Sequence, residues 1–492
     1  QPHQQRDHRD HHQQLDEREG RIKTAQRAWA VSEHGGETLP ALLARARVKI
    51  AKTLQRSRNA RVFTSDAAPR ARNLPPMPLA RVHEPLRTPP ARRVGLFLAA
   101  VLASGPLARA DITYLGEATI SWDATDLSGQ TQVLGDGPFH ADRLGSIGSA
   151  IAFTGVGNTY LMMSDRGPMD GALDYQPRFH AFTIELAPGS SRPVTVHLVS
   201  TTVLHDDKGP YSGAAAAFDA DADPRLDRRL DPEALRVCRD GSIYTADEYG
   251  PWIDRWSAAG AHLERLAPPD KYRVKKRGDA AMHELPPNNR RGRQSNRGFE
   301  GLALSPDESI LWALPQGVLL QDGALDPANE RIGRCVRLLE LDLRSRATRE
   351  YVYTLDAPEL GLNELLALPG GRLLALEKDG KEGKKARVRK LYAIDLAGAT
   401  DVSGVDALPS SPSDLDAAIK PVRKTLLLDL LDPRWGLAGS DMPEKVEGLA
   451  LGPALPDGRV PLLVTSDNDF RDGQPTRIWV FLLDAKDLSP AP

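Results

Sequence analysis

The sequence predicts an all-β chain folded as a β-propeller, with six blades as the central expectation and five to seven as the range. Three observations lead there. Apolar runs of strand length recur with hardly any sustained helical period, turn dipeptides separate them, and the chain aligned against itself repeats a hairpin-like unit. Its 492 residues are 40% hydrophobic, enough for a core, and its 41 Gly and 39 Pro supply the punctuation that many short strands need.

The chain opens on a segment that reads differently from the rest. QPHQQRDHRDHHQQLDEREGR has almost no apolar side chains and cannot bury a core. Residues 1–91 are therefore expected to be disordered, and their His3, His8, His11 and His12 to be part of a polar tail rather than a metal site. The first methionine is Met77, which suggests an over-extended reading frame with a start near it. Arg92 and Arg93 then precede the apolar run VGLFLAAVL, and Ala108-Arg109-Ala110 follows. A basic region, a short apolar region and an A-x-A site make residues 92–110 a signal peptide with cleavage after Ala110. The run is too short to span a bilayer. The expectation is a periplasmic or secreted protein without a stable membrane span, its propeller covering 111–488.

From there on, strand-like runs succeed one another: TYLMM (159–163), VTVHLV (194–199), SIYT (242–245), RLLEL (337–341) and RIWVFLL (477–483). Between them stand Asp240-Gly241, Pro306-Asp307, Gly370-Gly371 and Asp457-Gly458. Only 415–419 reads as helix in this part. The repeat is DPEALRVCRDGSIYTADE (231–248), RGFEGLALSPDESILWALPQ (297–316), GLNELLALPGGRLLALEKDG (361–380) and KVEGLALGPALPDGRVPLLVTSDND (445–469), with a weaker copy at 145–167. Five copies are visible, and the strands around 178–186 and 194–203 supply or complete a further blade. Radial repetition leaves only short, protected sheet edges.

Each copy begins with an acid and ends in polar residues. Glu233, Glu300, Glu364 and Glu447 open the first strand of four copies, 67, 64 and 83 residues apart. If that strand lines the central channel, these glutamates converge, and Asp165, Asp247, Glu248, Glu377, Asp467 and Asp469 join them from the second strands. Such crowding calls for a cation. Oxygen ligands favour a divalent metal, Ca²⁺ above Mg²⁺ because it accepts more ligands in irregular geometry; the scarcity of histidine argues against zinc. The metal-ligand candidates are Asp165, Glu233, Glu248, Glu300, Glu364, Glu377, Glu447 and Asp467. A Glu in this place can equally tie one blade to the next by accepting backbone N–H groups, and the pattern alone leaves both readings open.

Basic residues accompany the acids. Arg297 precedes Glu300 in NRGFE, Arg166 follows Asp165 in SDRG, and Lys378 follows Glu377. A guanidinium or ammonium beside a bound ion suits an anionic ester, so Arg297, Arg166 and Lys378 are the catalytic candidates. Pairing with the adjacent acids is the plainer alternative. The basic stretches 271–277 and 290–293 read as a solvated loop over the channel mouth.

Several classes are excluded. With 64 basic and 66 acidic side chains the net charge is −2, without the basic excess of a nucleic-acid binder. No G-x-S-x-G, P-loop or G-x-G-x-x-G occurs. Cys238 and Cys335 are the sole cysteines; they form one disulfide after export or stand as two buried thiols.

SDRG (164–167), DPEAL with ADEYGPWI (231–235, 246–253), NRGFEGLAL (296–304), LLALEKDG (373–380) and KVEGLAL with SDND (445–469) together resemble the phytase-like esterase family of bacterial exported proteins. The resemblance spans about 111–484. It implies a propeller with phosphate-ester-cleaving activity and points to Asp165, Arg166, Glu233, Glu248, Arg297, Glu300, Glu377 and Glu447. Lys378 departs from the pattern, standing where Arg is expected and lacking its fork. The expected function is a metal-dependent hydrolase of a small anionic phosphate ester, monomeric and working in the channel. A lactonase or carboxylic esterase on the same metal site, and a non-catalytic binding propeller, are the alternatives.

Overall fold

A computed structural model describes residues 112–218 and 223–488. The polar tail, the signal peptide and its cleavage site lie outside the described residues.

Five four-stranded antiparallel sheets follow one another along the chain. The first blade runs Ala150–Phe153, Thr159–Met163, Arg178–Leu186 and Val194–Val203 from inner to outer strand. The second is Pro232–Val237, Ile243–Asp247, Ile253–Trp256 and His262–Leu266; the third is Phe299–Leu304, Ile310–Pro315, Cys335–Asp342 and Thr348–Thr354. The fourth is Gly361–Ala367, Leu373–Lys378, Arg389–Asp395 and Arg423–Asp429. The fifth takes Val446–Leu451, Val460–Ser466 and Thr476–Leu483, then borrows its outer strand, Thr113–Ile120, from the other end of the described chain. The inner strands touch in a closed cycle, first to second and so on to fifth and back to first. This is a five-bladed propeller, closed by strand pairing between its two ends.

The count of five lies within the expected five to seven, one below the central figure of six. The strands around 178–186 and 194–203 complete the first blade instead of building another. The helix expected at 415–419 is also absent: a 3-10 turn covers Pro412–Asp414, and the Asp416 side chain then accepts the Ala418 N–H at 2.8 Å, a local bond that competes with helix. Cys238 and Cys335 are both buried free thiols, so of the two readings the unpaired one applies.

Five apolar clusters fill the interfaces between adjacent blades. The strand Leu373–Lys378 shows why these strands read as continuous apolar runs. Leu373 and Ala375 face the third blade, while Leu374 and Leu376 face the fifth. Alternate side chains point to opposite faces, and both faces are covered.

The channel is crossed partway down by one side chain. Arg236, on the second inner strand, donates to Ile151 O of the first blade at 3.5 Å and to Leu365 O of the fourth at 2.5 Å. Its Nη2 also lies 2.9 Å from Glu364, whose carboxylate accepts the Leu302 N–H of the third blade at 3.2 Å. Four blades are thus joined at the axis by a buried ion pair. Replacing Arg236 with Met or Glu364 with Leu singly is expected to cost ~3 kcal/mol in urea unfolding, and the double variant to recover most of it, because each single change strands a buried charge.

Candidate active site at the channel mouth

The site lies at the end of the axis where inner strands begin and second strands finish. Register decides which residues reach it. The inner strands of blades two to five each carry a β-bulge at their start, between Pro232 and Ala234, Phe299 and Gly301, Leu362 and Glu364, and Val446 and Leu449. The bulges leave Glu233, Glu300 and Asn363 singly out of the ladder, and Glu447 together with Gly448. The fourth member of the ring is therefore Asn363. Glu364 is one step on, and a one-residue step sends a side chain to the other face. In the first blade Ser149 stands directly before Ala150. Close approach between blades fixes these starts: a Cβ on Gly298 would lie 2.0 Å from Glu248 O, and one on Gly148 would lie 1.9 Å from Ser466 O.

Nine of the eleven residues proposed from the sequence lie on loop ends and strand ends at this mouth: Asp165, Arg166, Glu233, Glu248, Arg297, Glu300, Lys378, Glu447 and Asp467. Two do not join them. Glu364 is the axial tie to Arg236. Glu377 accepts the Tyr353 O–H at 2.7 Å, the Asp356 N–H at 2.7 Å and Lys424 Nζ at 2.9 Å, all between the third and fourth blades. Glu377 has both oxygens engaged by structural partners, and Glu364 engages Oε1 while its Oε2 is buried without a hydrogen-bond partner, so the two stand apart from the mouth. Asp247 likewise serves a turn, accepting the N–H groups of Asp231 and Gly250 at 2.8 and 2.6 Å.

Two acid clusters have ligand spacing: Asp165, Asp467 and Asp469, and Asp231, Glu233 and Glu248. The first is already centred on a cation. Lys445 Nζ lies 3.3, 2.9 and 3.2 Å from Asp165, Asp467 and Asp469. Burial works against its charge, yet Asp467, Asp165 and Asp469 outweigh it and hold the amine well above its ordinary value. The remaining oxygens are also occupied: Asp165 Oδ1 accepts Gly167 N–H at 2.9 Å, Asp467 Oδ1 accepts Asp469 N–H at 2.6 Å, and Asp469 Oδ2 receives Arg471 at 3.2 Å.

The second cluster is only partly compensated. Arg166 bonds Asp231 and Asn296 through Nη1, which also lies 3.4 Å from Glu248 Oε2, and it bonds Asp170 through Nη2 at 3.1 Å. Glu248 Oε1 is buried without a hydrogen-bond partner. Glu233, 7% exposed, makes no hydrogen bond or ion pair among the described residues. Burial, then repulsion from Glu300, Asp231, Glu447 and Asp165, pushes its carboxyl well above the usual range. Burial followed by Asp231 pushes Glu248 up to about 8, and burial takes Glu447 up to about 7.

The rest of the mouth is polar and differently charged. Gln316 and Asn363 both donate to Glu300, the latter at 3.5 Å. Lys378 lies 3.8 Å from Glu447, and burial lowers its ammonium below the ordinary value. Arg297 makes one bond, to Leu360 O at 3.3 Å. Non-glycine residues in the left-handed region gather in the same loops: Ser146, Met169, Asp170, Asn296, Asp469 and Phe470, with φ of 52–58°. Such conformations persist only where the surroundings impose them. Cavities of about 440 and 540 Å³ lie beside Phe218 and Lys276 and beside Tyr211 and Arg228, and none of the mouth acids lines them.

Sequence reasoning passed over Asp231, Lys445, Asn363 and Gln316. Asp231 and Lys445 share a signal, each standing two residues before the ring glutamate of its repeat. Raised carboxyls also have a thermodynamic consequence. The folded chain keeps protons on Glu248, Glu447 and Asp247 that the unfolded chain releases near 4, so this stability is complete below that and is lost as pH rises through 7 to 8. Urea midpoints are expected to fall between pH 5 and 8.5 without added metal, and less steeply in Glu447→Gln; a midpoint that rises instead would contradict the assignment.

The chain is similar to several known proteins. A curated "uncharacterized secreted protein" of Arthroderma benhamiae is 26% identical over 450 residues, covering 71% of this chain and 87% of that protein. Among solved structures, a luciferin-regenerating enzyme is similar at 13% identity with TM-score 0.31, over 69% of this chain and 94% of that one. Regucalcin of Agrobacterium tumefaciens, titled a calcium-binding protein, is similar at 11% with TM-score 0.30, over 69% and 92%. A family profile described as phytase-like, "esterase-like activity of phytase", matches residues 142–470. That match takes in all five inner strands and the mouth residues from Ser146 to Phe470, and the chain belongs to this phytase-like family.

Proposed function

We propose that the chain is an exported, metal-dependent hydrolase of phosphate esters whose reaction takes place at the acidic mouth of the propeller. The observation that carries this reading is that a buried guanidinium without an ion pair, Arg297, belongs to the same mouth as Glu233, whose buried carboxyl has no hydrogen-bond or ion-pair partner among the described residues. An anionic substrate meets the first need and a divalent cation the second.

Asp231, Glu233 and Glu248 are the residues that would hold the ion, because Glu233 and Glu248 Oε1 have no other partner. All donors are carboxylate oxygens, which suits Ca²⁺. The Asp165, Asp467 and Asp469 cluster fits an ion poorly, since Lys445 fills its centre. Held by Asp231, Glu233 and Glu248, a divalent ion would supply Lewis acidity to the ester oxygens.

The chain's own groups do the rest. Arg297 holds phosphate oxygens, and Lys378 adds a positive charge beside Glu447. Glu300 is held in place by Gln316 and Asn363 and can orient an attacking water. Glu447, raised to about 7 with Oε2 unpartnered, can pass a proton to the departing alcohol oxygen as the P–O bond breaks. Arg166 serves as a positioning residue, because its guanidinium is engaged by Asp231, Glu248, Asn296 and Asp170. Export is supported by the description of the Arthroderma relative as secreted and by the apolar run before Ala110. No helix among the described residues is long and apolar enough to cross a membrane.

The test is metal analysis of the purified protein with a panel of p-nitrophenyl phosphate and p-nitrophenyl acetate. Chelation is expected to lower phosphatase activity and the melting temperature together, and Glu233→Gln to remove the bound ion. Arg297→Ala is expected to lower kcat/KM for the phosphate ester by about 10²-fold. Hydrolysis of the acetate alone would move the reading to a carboxylic esterase, and a metal-free protein inert to both would leave a binding propeller.

A further inference from the structure

We propose that Tyr249 is a positioning residue of the mouth: its ring holds the Arg166 guanidinium on Asp231 and away from the other acids, and so leaves Glu233 and Glu248 open to a divalent cation. The proposal rests on the metal-dependent reading above and adds a residue that reading does not use.

Tyr249 stands two residues past the end of Ile243–Asp247, directly after Glu248. Two guanidiniums lie over its ring, with Arg229 Cζ 4.4 Å and Arg166 Cζ 5.9 Å from the ring centre. The face of an aromatic ring is electron-rich, so it attracts a cation without accepting its hydrogen bonds as a carboxylate does. The ring has little freedom to move. Its O–H donates to Gly213 O at 3.0 Å, and the Tyr249 carbonyl accepts Arg293 Nε and Nη2 at 3.0 and 2.6 Å. Arg293 is itself buried and paired with Glu284 at 2.6 Å, and Arg229 donates to Ala215 O and Gly278 O at 2.7 and 3.0 Å. Gly171, at φ 73°, packs tightly against the phenol and Arg166 together. A Cβ there would lie 2.6 Å from Tyr249 Oη and 3.0 Å from Arg166 Cδ, so the two side chains meet against one glycine.

Arg166 needs such a restraint. It bonds Asp231, and its Nη1 lies 3.4 Å from Glu248 Oε2, while Glu233 and Glu248 Oε1 have no hydrogen-bond partner among the described residues. A guanidinium so placed is drawn toward the unpaired carboxyls, and each step inward neutralises charge that a divalent ion needs. Its other acceptors, Asp170 at 3.1 Å and Asn296, are both exposed. The Asp170 side chain is 78% exposed, so water weakens its hold. Arg166 is 7% exposed, and an aromatic face attracts a cation more strongly where solvent is excluded. Removing the ring therefore frees Arg166 to turn toward Glu248 and Glu233 and to take the place of the ion.

The test titrates Ca²⁺ calorimetrically into the native chain and into Tyr249→Phe, Tyr249→Leu and Tyr249→Met, and repeats the series in an Arg166→Met background. Melting temperatures show which variants are folded. Tyr249→Phe keeps the ring and loses only the bond to Gly213 O, so its Ca²⁺ affinity is expected to stay close to native. Tyr249→Leu and Tyr249→Met fill the space without an aromatic face, and each is expected to lower the affinity about tenfold. Beside Arg166→Met the same changes are expected to have no effect, since a residue that acts through Arg166 then has nothing to position. An equal loss in both backgrounds, or native affinity in a folded Tyr249→Leu or Tyr249→Met chain, overturns the proposal. If p-nitrophenyl phosphate is still cleaved in a chelator-sensitive way, the hydrolase reading survives that failure. A native chain that binds no Ca²⁺ overturns both. Ca²⁺ binding that depends on the Tyr249 ring, in a protein that cleaves no phosphate ester, upholds the positioning role and overturns the hydrolase reading.

Discussion

The ion pair between Arg236 and Glu364 is the constraint on which the rest of the structure hangs. A propeller has no covalent link around its ring, and here closure depends on Thr113–Ile120 pairing with Thr476–Leu483 and on apolar clusters between blades. Those clusters are directionless, since hydrophobic burial sets no particular angle between sheets. The axial pair is directional. Bonds from Arg236 to Ile151 O, Leu365 O and Glu364, and from Leu302 N–H to Glu364, fix how far four inner strands stand from one another.

Charge management at the mouth divides in two. Where Lys445 meets Asp165, Asp467 and Asp469, every carboxylate oxygen named has a donor, and the cluster is a finished internal salt bridge. Around Glu233, Glu248 and Glu300 the accounts do not close within the protein. Burial and mutual repulsion raise these carboxyls, one oxygen of Glu248 has no partner, and Arg297 stands nearby with no acid of its own. Acid and base that are both buried, close and unmatched with each other are a poor arrangement for stability. They are a good one for receiving an anion and a cation together.

The backbone around the mouth fits the same division of labour. Left-handed residues in the loops at Ser146, Met169, Asp170, Asn296, Asp469 and Phe470 carry strain that the blades beneath must support. Asn296 accepts from Arg166, and Asp469 from Lys445, so the strained residues hold the cations in position. Rigid strands beneath and pinned loops above keep the unmatched groups apart.

By itself the sequence determined the propeller and the end of it that matters. Strand length, turn residues and the acid-strand-turn-strand repeat are local properties, legible because both faces of each strand must be apolar. The same repeat brought Asp165, Glu233, Glu300, Glu447 and Asp467 to one mouth. Blade number was decided by pairing, since only the ladder between Thr159–Met163 and Arg178–Leu186 assigns those outer strands to the first blade. Tertiary structure also decided which acids are tied to structural partners and which are left without them. A bulge of one residue exchanges Asn363 for Glu364 at the ring, and strand alternation turns Glu377 away while its neighbour Lys378 reaches Glu447. Whether a carboxylate is free depends on a partner far along the chain, such as Lys445 for Asp165 or Arg236 for Glu364, and spacing within one repeat carries no record of that partner.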